Sequence, residues 1–491
     1  MAPNTPPGRP GTLTPEQEGK LRELWAATSK VFGIHNRESS ELNGIETPIE
    51  TETPAASIAD VSETPDKEKK KKSRLNVFKR HKDKGDKGNS ESNTPSGSAT
   101  PSDISSLSIA DEDDKYGQNK EFKAALANTS PEQLRQTFWS MVKHDHPDAL
   151  LLRFLRARKW NVDNALVMMI STMHWRATDM HVDDDIIKNG ELKAIEDTKS
   201  SDPAVKKEAE DLLAQMRMGK SFLHGLDKEG RPLCIVRARL HRQGEQSEAS
   251  LERYTVYTIE TARMLLRPPV DTATIVFDMT GFSLANMDYA PVKFMIKCFE
   301  ANYPESLGTV LVYKAPWVFN AIWNIIRGWL DPVVAGKVHF CKQIDDLEGF
   351  ISRNQIPSEL GGDEKWEYKY QEPIEGENRL LGAEGAPKRD ELESARQGLV
   401  KKYESTILEW VHAGEAGKSL DERRTERDAV AEELRSNYWK LDPYVRARTL
   451  YDRTGVIQEG GKLDFYGTSK QETTPPSTAP AVAEDTHPDL D

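Results

Sequence analysis

No stretch of about 18 apolar residues occurs anywhere in the 491-residue sequence, which excludes a membrane-spanning helix. Met1 leads into Pro-, Thr- and Gly-rich sequence where a secretory leader needs an apolar run, so residence in the cytosol is the expectation. Cysteine is scarce. Cys234, Cys298 and Cys341 are too few and too widely spaced for a disulfide framework or a zinc cluster, and they read as reduced thiols. Apolar residues make up only 37% of the chain and prolines number 28, so part of it lacks the means to bury a core. The formal net charge of −13 argues against a nucleic-acid-binding fold, but the charge is uneven. Lys67 to Gly88 hold eleven basic and three acidic residues, a local charge of +8. Such a run reads as a tether that docks on anionic membranes, with a nuclear-import signal as the rival reading.

The chain divides by composition. Residues from about Asn36 to Asp114 are dominated by Ser, Thr, Pro, Glu and Lys and read as a disordered linker. Ahead of it, Thr14-Pro15-Glu16-Gln17 forms a capping box with proline in the first turn, and the spacing predicts a helix to about Phe32. Its stripe of Leu21, Leu24, Trp25, Thr28, Val31 and Phe32 needs a partner surface, expected on the protein itself. Ser130-Pro131-Glu132-Gln133 is a second capping box and opens a run of three helical patterns, the second at Leu151 to Arg158 and the third capped by Asn161. The rhythm then alternates: strands are predicted at Leu233 to Ala238, Thr274 to Met279, Thr309 to Tyr313 and Lys337 to Cys341. Helices are predicted between them, at Leu251 to Leu266, Tyr289 to Tyr303 and Trp317 to Leu330, which implies a largely parallel α/β sheet. Two further helices, Leu392 to Trp410 and Ser419 to Lys440, precede a tail rich in Thr, Pro and Ala.

Three catalytic or metal readings compete. Gly281-Phe282-Ser283-Leu284-Ala285 follows a strand and nearly matches the elbow of a serine hydrolase, with its last glycine missing. Gly417-Lys418-Ser419 resembles the end of a phosphate-binding loop but has no strand before it, and His144-Asp145-His146 lacks further ligands at metal spacing. The segment Val318 to Leu330 is apolar over most of its girth, with Asn320, Asn324 and Arg327 in one stripe. Composition leaves a deep core helix and a lipid-facing helix equally open.

The run Leu151-Leu152-Arg153-Phe154-Leu155-Arg156-Ala157-Arg158-Lys159-Trp160-Asn161-Val162 resembles the start of the CRAL-TRIO lipid-binding family, in its fungal phosphatidylinositol-transfer branch. Four more motifs follow in family order: Asp227-Lys228-Glu229-Gly230-Arg231-Pro232, Tyr303-Pro304-Glu305-Ser306-Leu307-Gly308, Leu330-Asp331-Pro332-Val333 and Ile356-Pro357-Ser358-Glu359-Leu360-Gly361-Gly362. The resemblance implies an N-terminal helical cap at 116–200 and, at 201–372, a mixed, mostly parallel sheet whose helices enclose an apolar lipid cavity. Residues 1–115 are expected to be mostly disordered apart from the helix near 15–33, 388–455 to form a C-terminal helical extension, and 456–491 to be a disordered tail.

By this resemblance the function is non-covalent exchange of phosphatidylinositol between membranes, without a cofactor, by a monomer in transient contact with anionic membrane surfaces. A lipid-responsive adaptor acting through protein partners is the alternative. Arg158, Lys159, Glu305 and Lys337 are expected at the inositol phosphate, with Asp227 as an added hydroxyl acceptor. Trp317 to Leu330 corresponds to a gate over the cavity, with Phe319, Ile322, Trp323, Ile326 and Trp329 as its apolar residues. Leu223, Cys234, Ala273 and Ile275 fall where relatives that carry phosphatidylcholine place hydroxyls, so the second ligand is expected to be a less polar lipid, such as a sterol.

Overall fold

The computed structural model describes residues 5–34, 104–412 and 419–467. The basic segment Lys67 to Gly88, most of the linker, the Gly417-Lys418 pair and the tail beyond 467 lie outside the described residues. No helix among the described residues is long and apolar enough to cross a membrane.

Local sequence sets the helix starts. Thr14 and Gln17 close the first capping box, and the helix runs Pro15–Val31. The Ser130 box opens Pro131–Val142, and Asn161 caps Val162–His174. Between them, His146 caps Pro147–Ala157, so this helix begins a turn earlier than Leu151. The stripe of the N-terminal helix docks on its own body: Leu21 and Leu24 are fully buried, and Trp25 meets the rings of Phe138 and Tyr403. The helices Ala386–His412 and Leu420–Val445 join the same core through Tyr403, Ile407, Trp410, Val430 and Leu434.

Two expectations of disorder reach too far. Ile109 is buried in this core, and its amide and carbonyl are both held by the Asn119 side chain (2.7 and 2.8 Å). At the other end, Ile457 bridges Leu463 and Phe465 is buried, so packing continues to residue 467.

The sheet has five strands in sequence order: β1 (Ser221–Leu226), β2 (Pro232–Arg237), β3 (Ala273–Asp278), β4 (Leu307–Tyr313) and β5 (Val338–Cys341). β1 pairs antiparallel with β2, and the remaining pairs are parallel. β1 escapes the sequence pattern because His224 and Gly225 interrupt its alternation. Period-two alternation assigns the faces. Leu233, Ile235, Val276, Leu311 and Tyr313 pack on one side against Leu347, Ile351, Ile356 and Leu360. The other side, bearing Cys234, Ile275, Val310 and Val312, faces helices Glu248–Met264, Tyr289–Lys297 and Phe319–Arg327 across a cavity.

Candidate functional site

The cavity has a volume of ≈ 310 Å³ and runs along the sheet from the starts of the parallel strands to their ends. Its walls are almost wholly apolar: Cys234, Val236, Ala273, Ile275, Phe277, Val310, Val312 and Val338 come from the strands. The helix Phe319–Arg327 closes one side. Phe319, Trp323 and Ile326 line the cavity, Ile322 is buried beside them, and Trp329 packs edge-on against Tyr289 (5.3 Å). Asn320, Asn324 and Arg327 are exposed on the opposite face. Cys234 is a buried thiol whose pKa desolvation pushes up to about 12, so it stays protonated.

Leu223 departs from expectation. It shares a face with Ser221, but the Tyr451 hydroxyl accepts its amide (2.7 Å), and the C-terminal extension covers it, so Ser221 lines the cavity in its place. Tyr254 and Thr255 add hydroxyls from the neighbouring helix, both already hydrogen-bonded: Tyr254 donates to the Ser221 carbonyl (2.6 Å) and Thr255 to the Leu251 carbonyl (2.8 Å).

Cations gather where the strands begin. Lys337 Nζ donates to the carbonyl of Leu307, a cavity-lining residue (2.8 Å). Burial lowers the Lys337 pKa, opposed by Glu305 and reinforced by Arg9, Arg156 and Arg231. Arg153 donates to the carbonyls of Glu305 (2.7 Å) and Asp271 (2.5 Å), holding Glu305 in a left-handed conformation at φ 55°. Arg9 grips Asp271 with both forks (3.1 and 3.2 Å), and Arg156 adds a third contact (3.2 Å). Burial pushes the Asp271 carboxyl up, but Arg153, Arg9 and Arg156 outweigh it and hold its pKa low. Desolvation and Arg9 lower the Arg156 pKa to about 10, and its buried Nε has no partner. The site therefore holds several desolvated cations against few carboxylates, the arrangement that favours a phosphate ester.

The structure redistributes the residues named from sequence. Glu305 and Lys337 come together. Arg158 instead donates to the Gln118 side chain and lies near Asp113, Asp114 and Asp331, while Lys159 is exposed at φ 51°. Their motif contributes through Arg153 and Arg156, one turn earlier, because the helix ends at Ala157 and turns its last residues away. The carboxylate of Asp227 accepts the amides of Glu229 and Arg231 (both 2.9 Å) and the Thr274 hydroxyl (2.7 Å), so it is spent on the β1–β2 turn. Arg9 was beyond sequence reasoning. Arg156 anchors it by donating to the Gly8 carbonyl (2.7 Å), and Gly8 sits at φ +74° with Arg156 Cδ only 3.2 Å from where a Cβ would stand.

The competing chemistries find no support in the geometry. Ser283 is in extended backbone (φ −134°, ψ 171°), not a strained elbow, and its hydroxyl donates to Asn286 (3.0 Å). His144 is buried against the Leu266 carbonyl (3.3 Å), with its pKa lowered to about 4 by desolvation. His146 is a helix cap that also meets Asp428. Ser419 caps the helix Leu420–Val445.

Comparison with known proteins agrees with this architecture. Residues 118–171 match the model of the CRAL/TRIO N-terminal domain and residues 216–362 that of the CRAL/TRIO domain. A CRAL-TRIO domain-containing protein of Schizosaccharomyces pombe is 39% identical over 452 residues, covering 92% of this chain and 92% of that one. The phosphatidylinositol transfer protein CSR1 of Eremothecium gossypii is 37% identical over 466 residues, covering 93% of this chain and all of its own. A second Schizosaccharomyces pombe CRAL-TRIO protein is 27% identical across 68% of this chain and 90% of its own. The chain belongs to the CRAL/TRIO family.

Proposed function

We propose that this protein carries single phosphatidylinositol molecules between membranes, the activity for which its Eremothecium relative is named. The observation that carries this reading is one apolar cavity with a cluster of desolvated cations at the strand-start end. Acyl chains fit the first and a phosphodiester the second. Each buried methylene contributes about 0.8 kcal/mol, so exchange needs an open state docked on a membrane, in which the helix Phe319–Arg327 acts as the gate. Its outer rim suits that contact: Trp317 is 85% exposed, Val333 58% and Ile325 46%, an apolar edge that would insert among head groups. The same walls offer little to a second zwitterionic head group, and the second cargo is a hydrocarbon-rich lipid.

Transfer of labelled phosphatidylinositol between vesicles tests the site. Lys337→Ala and Arg156→Ala each remove a charge-assisted contact, and affinity should fall tenfold or more. If both variants transfer phosphatidylinositol at the parent rate, the strand-start cations are not its head-group site.

A further inference from the structure

Arg9 reaches the strand-start cations from a segment that holds it in place. Pro6, Pro7 and Pro10 restrict the backbone around it. Thr12 closes the turn: its amide donates to the Arg9 carbonyl (3.0 Å), its hydroxyl donates to the Pro6 carbonyl (2.8 Å), and the Arg9 amide donates to that hydroxyl (3.2 Å). The guanidinium also donates to the Pro7 carbonyl (2.9 Å), which leaves its two remaining N–H edges aimed at Asp271. Asp271 serves its two guanidinium partners unequally. Arg9 takes both carboxylate oxygens (3.1 and 3.2 Å), whereas Arg156 reaches one of them through a single Nη2 contact (3.2 Å). Arg156 is nevertheless the more buried of the two, its side chain 10% exposed against 18% for Arg9, and its Nε has no hydrogen-bond partner. Its Nη1 donates to the carbonyl of Gly8, a neutral acceptor that the same segment supplies (2.7 Å). Without Arg9, the Asp271 carboxylate would turn to Arg156 and cancel its charge in place.

We propose that residues 5–12 form a positioning strap, in which Arg9 occupies Asp271 so that Arg156 keeps its positive charge for an anionic cargo. Arg9 is then a specificity determinant that acts through Arg156, without touching the lipid. Asp271 is the internal competitor of the cargo phosphate, and the strap keeps it engaged. The N-terminal segment thereby sets how strongly the strand-start end prefers a phosphate. The inference rests on the carrier reading and adds to it a residue that tunes head-group selection.

The test measures how tightly the full chain takes up tritiated phosphatidylinositol from phosphatidylcholine vesicles. Arg9→Gln subtracts one positive charge from a partly desolvated cluster and should weaken uptake roughly tenfold. Combining it with Asp271→Asn removes the freed carboxylate as well, and affinity should return to near the parent value. A purely structural role for Arg9 makes the double variant at least as weak as the single one. Circular dichroism confirms the fold of each. Should Arg9→Gln fail to fold, the same comparison is made between Asp271→Asn and the double variant, the first binding roughly tenfold more tightly. Unchanged uptake by folded Arg9→Gln, or no recovery in the double variant, overturns the strap. Lys337→Ala separates the two readings: if it weakens uptake while Arg9→Gln does not, only the strap falls. If the parent takes up no phosphatidylinositol, the carrier reading itself falls.

Discussion

Removal of one buried carboxylate should loosen both ends of the chain from the body. Asp148 is 4% exposed; one oxygen accepts Trp25 Nε1 and the Tyr403 hydroxyl (both 2.7 Å), and the other accepts Arg427 Nε (3.3 Å). These partners belong to the N-terminal helix and to the two helices of the C-terminal extension. Asp148→Ala leaves Arg427, 2% exposed and stacked 3.8 Å over the Trp410 ring, with Glu18 at 3.8 Å as its remaining carboxylate. Breaking a buried ion pair from one side costs about 3 to 5 kcal/mol, and coupled contacts to one carboxylate do not simply add beyond that. Against a typical folding stability of about 5 to 15 kcal/mol the loss is large. Urea unfolding followed by tryptophan fluorescence measures it, because Trp25, Trp139 and Trp410 all lie in this core. Burial raises the Asp148 pKa, but Arg427 and His146 outweigh it and the folded value is lowered. Its stabilisation is therefore present above the unfolded pKa of about 3.9 and lost as pH falls through the lower folded value. Acid should erode the parent more than Asp148→Ala. A midpoint shift worth under about 1 kcal/mol, or identical acid sensitivity in both proteins, would refute the reasoning.

Two further predictions concern exchange and docking. Glu300 accepts the Tyr116 hydroxyl (2.6 Å), Lys115 (2.8 Å) and the Asp331 amide (2.7 Å) just behind the helix Phe319–Arg327; Glu300→Ala should speed spontaneous lipid exchange about tenfold, and an unchanged rate in a fluorescence dequenching assay counts against Glu300 as a restraint on the proposed gate. Deleting residues 67–88 should weaken binding to anionic vesicles while sparing neutral ones, since each basic residue near such a surface contributes about 1 kcal/mol; undiminished sedimentation with the anionic vesicles would place docking elsewhere.

Local rules carried most of the fold, because caps and alternation act over a few residues. The boxes at Thr14, Ser130 and Ser419 start their helices where the sequence says. Ile109 shows the limit: one buried side chain in polar sequence carries no periodic signal, and its place is set by Asn119. The nearness of Glu305 and Lys337 was legible because short motifs hold them, and the placement of the first motif was less so. Whether Arg156 or Arg158 turns toward Asp271 depends on where the helix stops, at Ala157. Arg9 reaches Asp271 across 262 residues of sequence, a distance over which no pattern speaks. Leu223 and Ser221 share a face, and only the arrival of Tyr451 decides which of them sees the cavity.

The path of the chain after the gate links two events. From Arg327 it runs through the short helix Pro332–Ala335 directly to Lys337, where β5 begins. Lys337, the proposed phosphate contact, is thus tethered about ten positions from the helix that lines the cavity, with Glu300 clamping the tether at Asp331. A swing of the wall that pulls on this tether would slacken the grip at the same moment. Tails and head group would then be released as one step, and a half-unloaded carrier, with its chains in the bilayer and its phosphate still bound, would be short-lived.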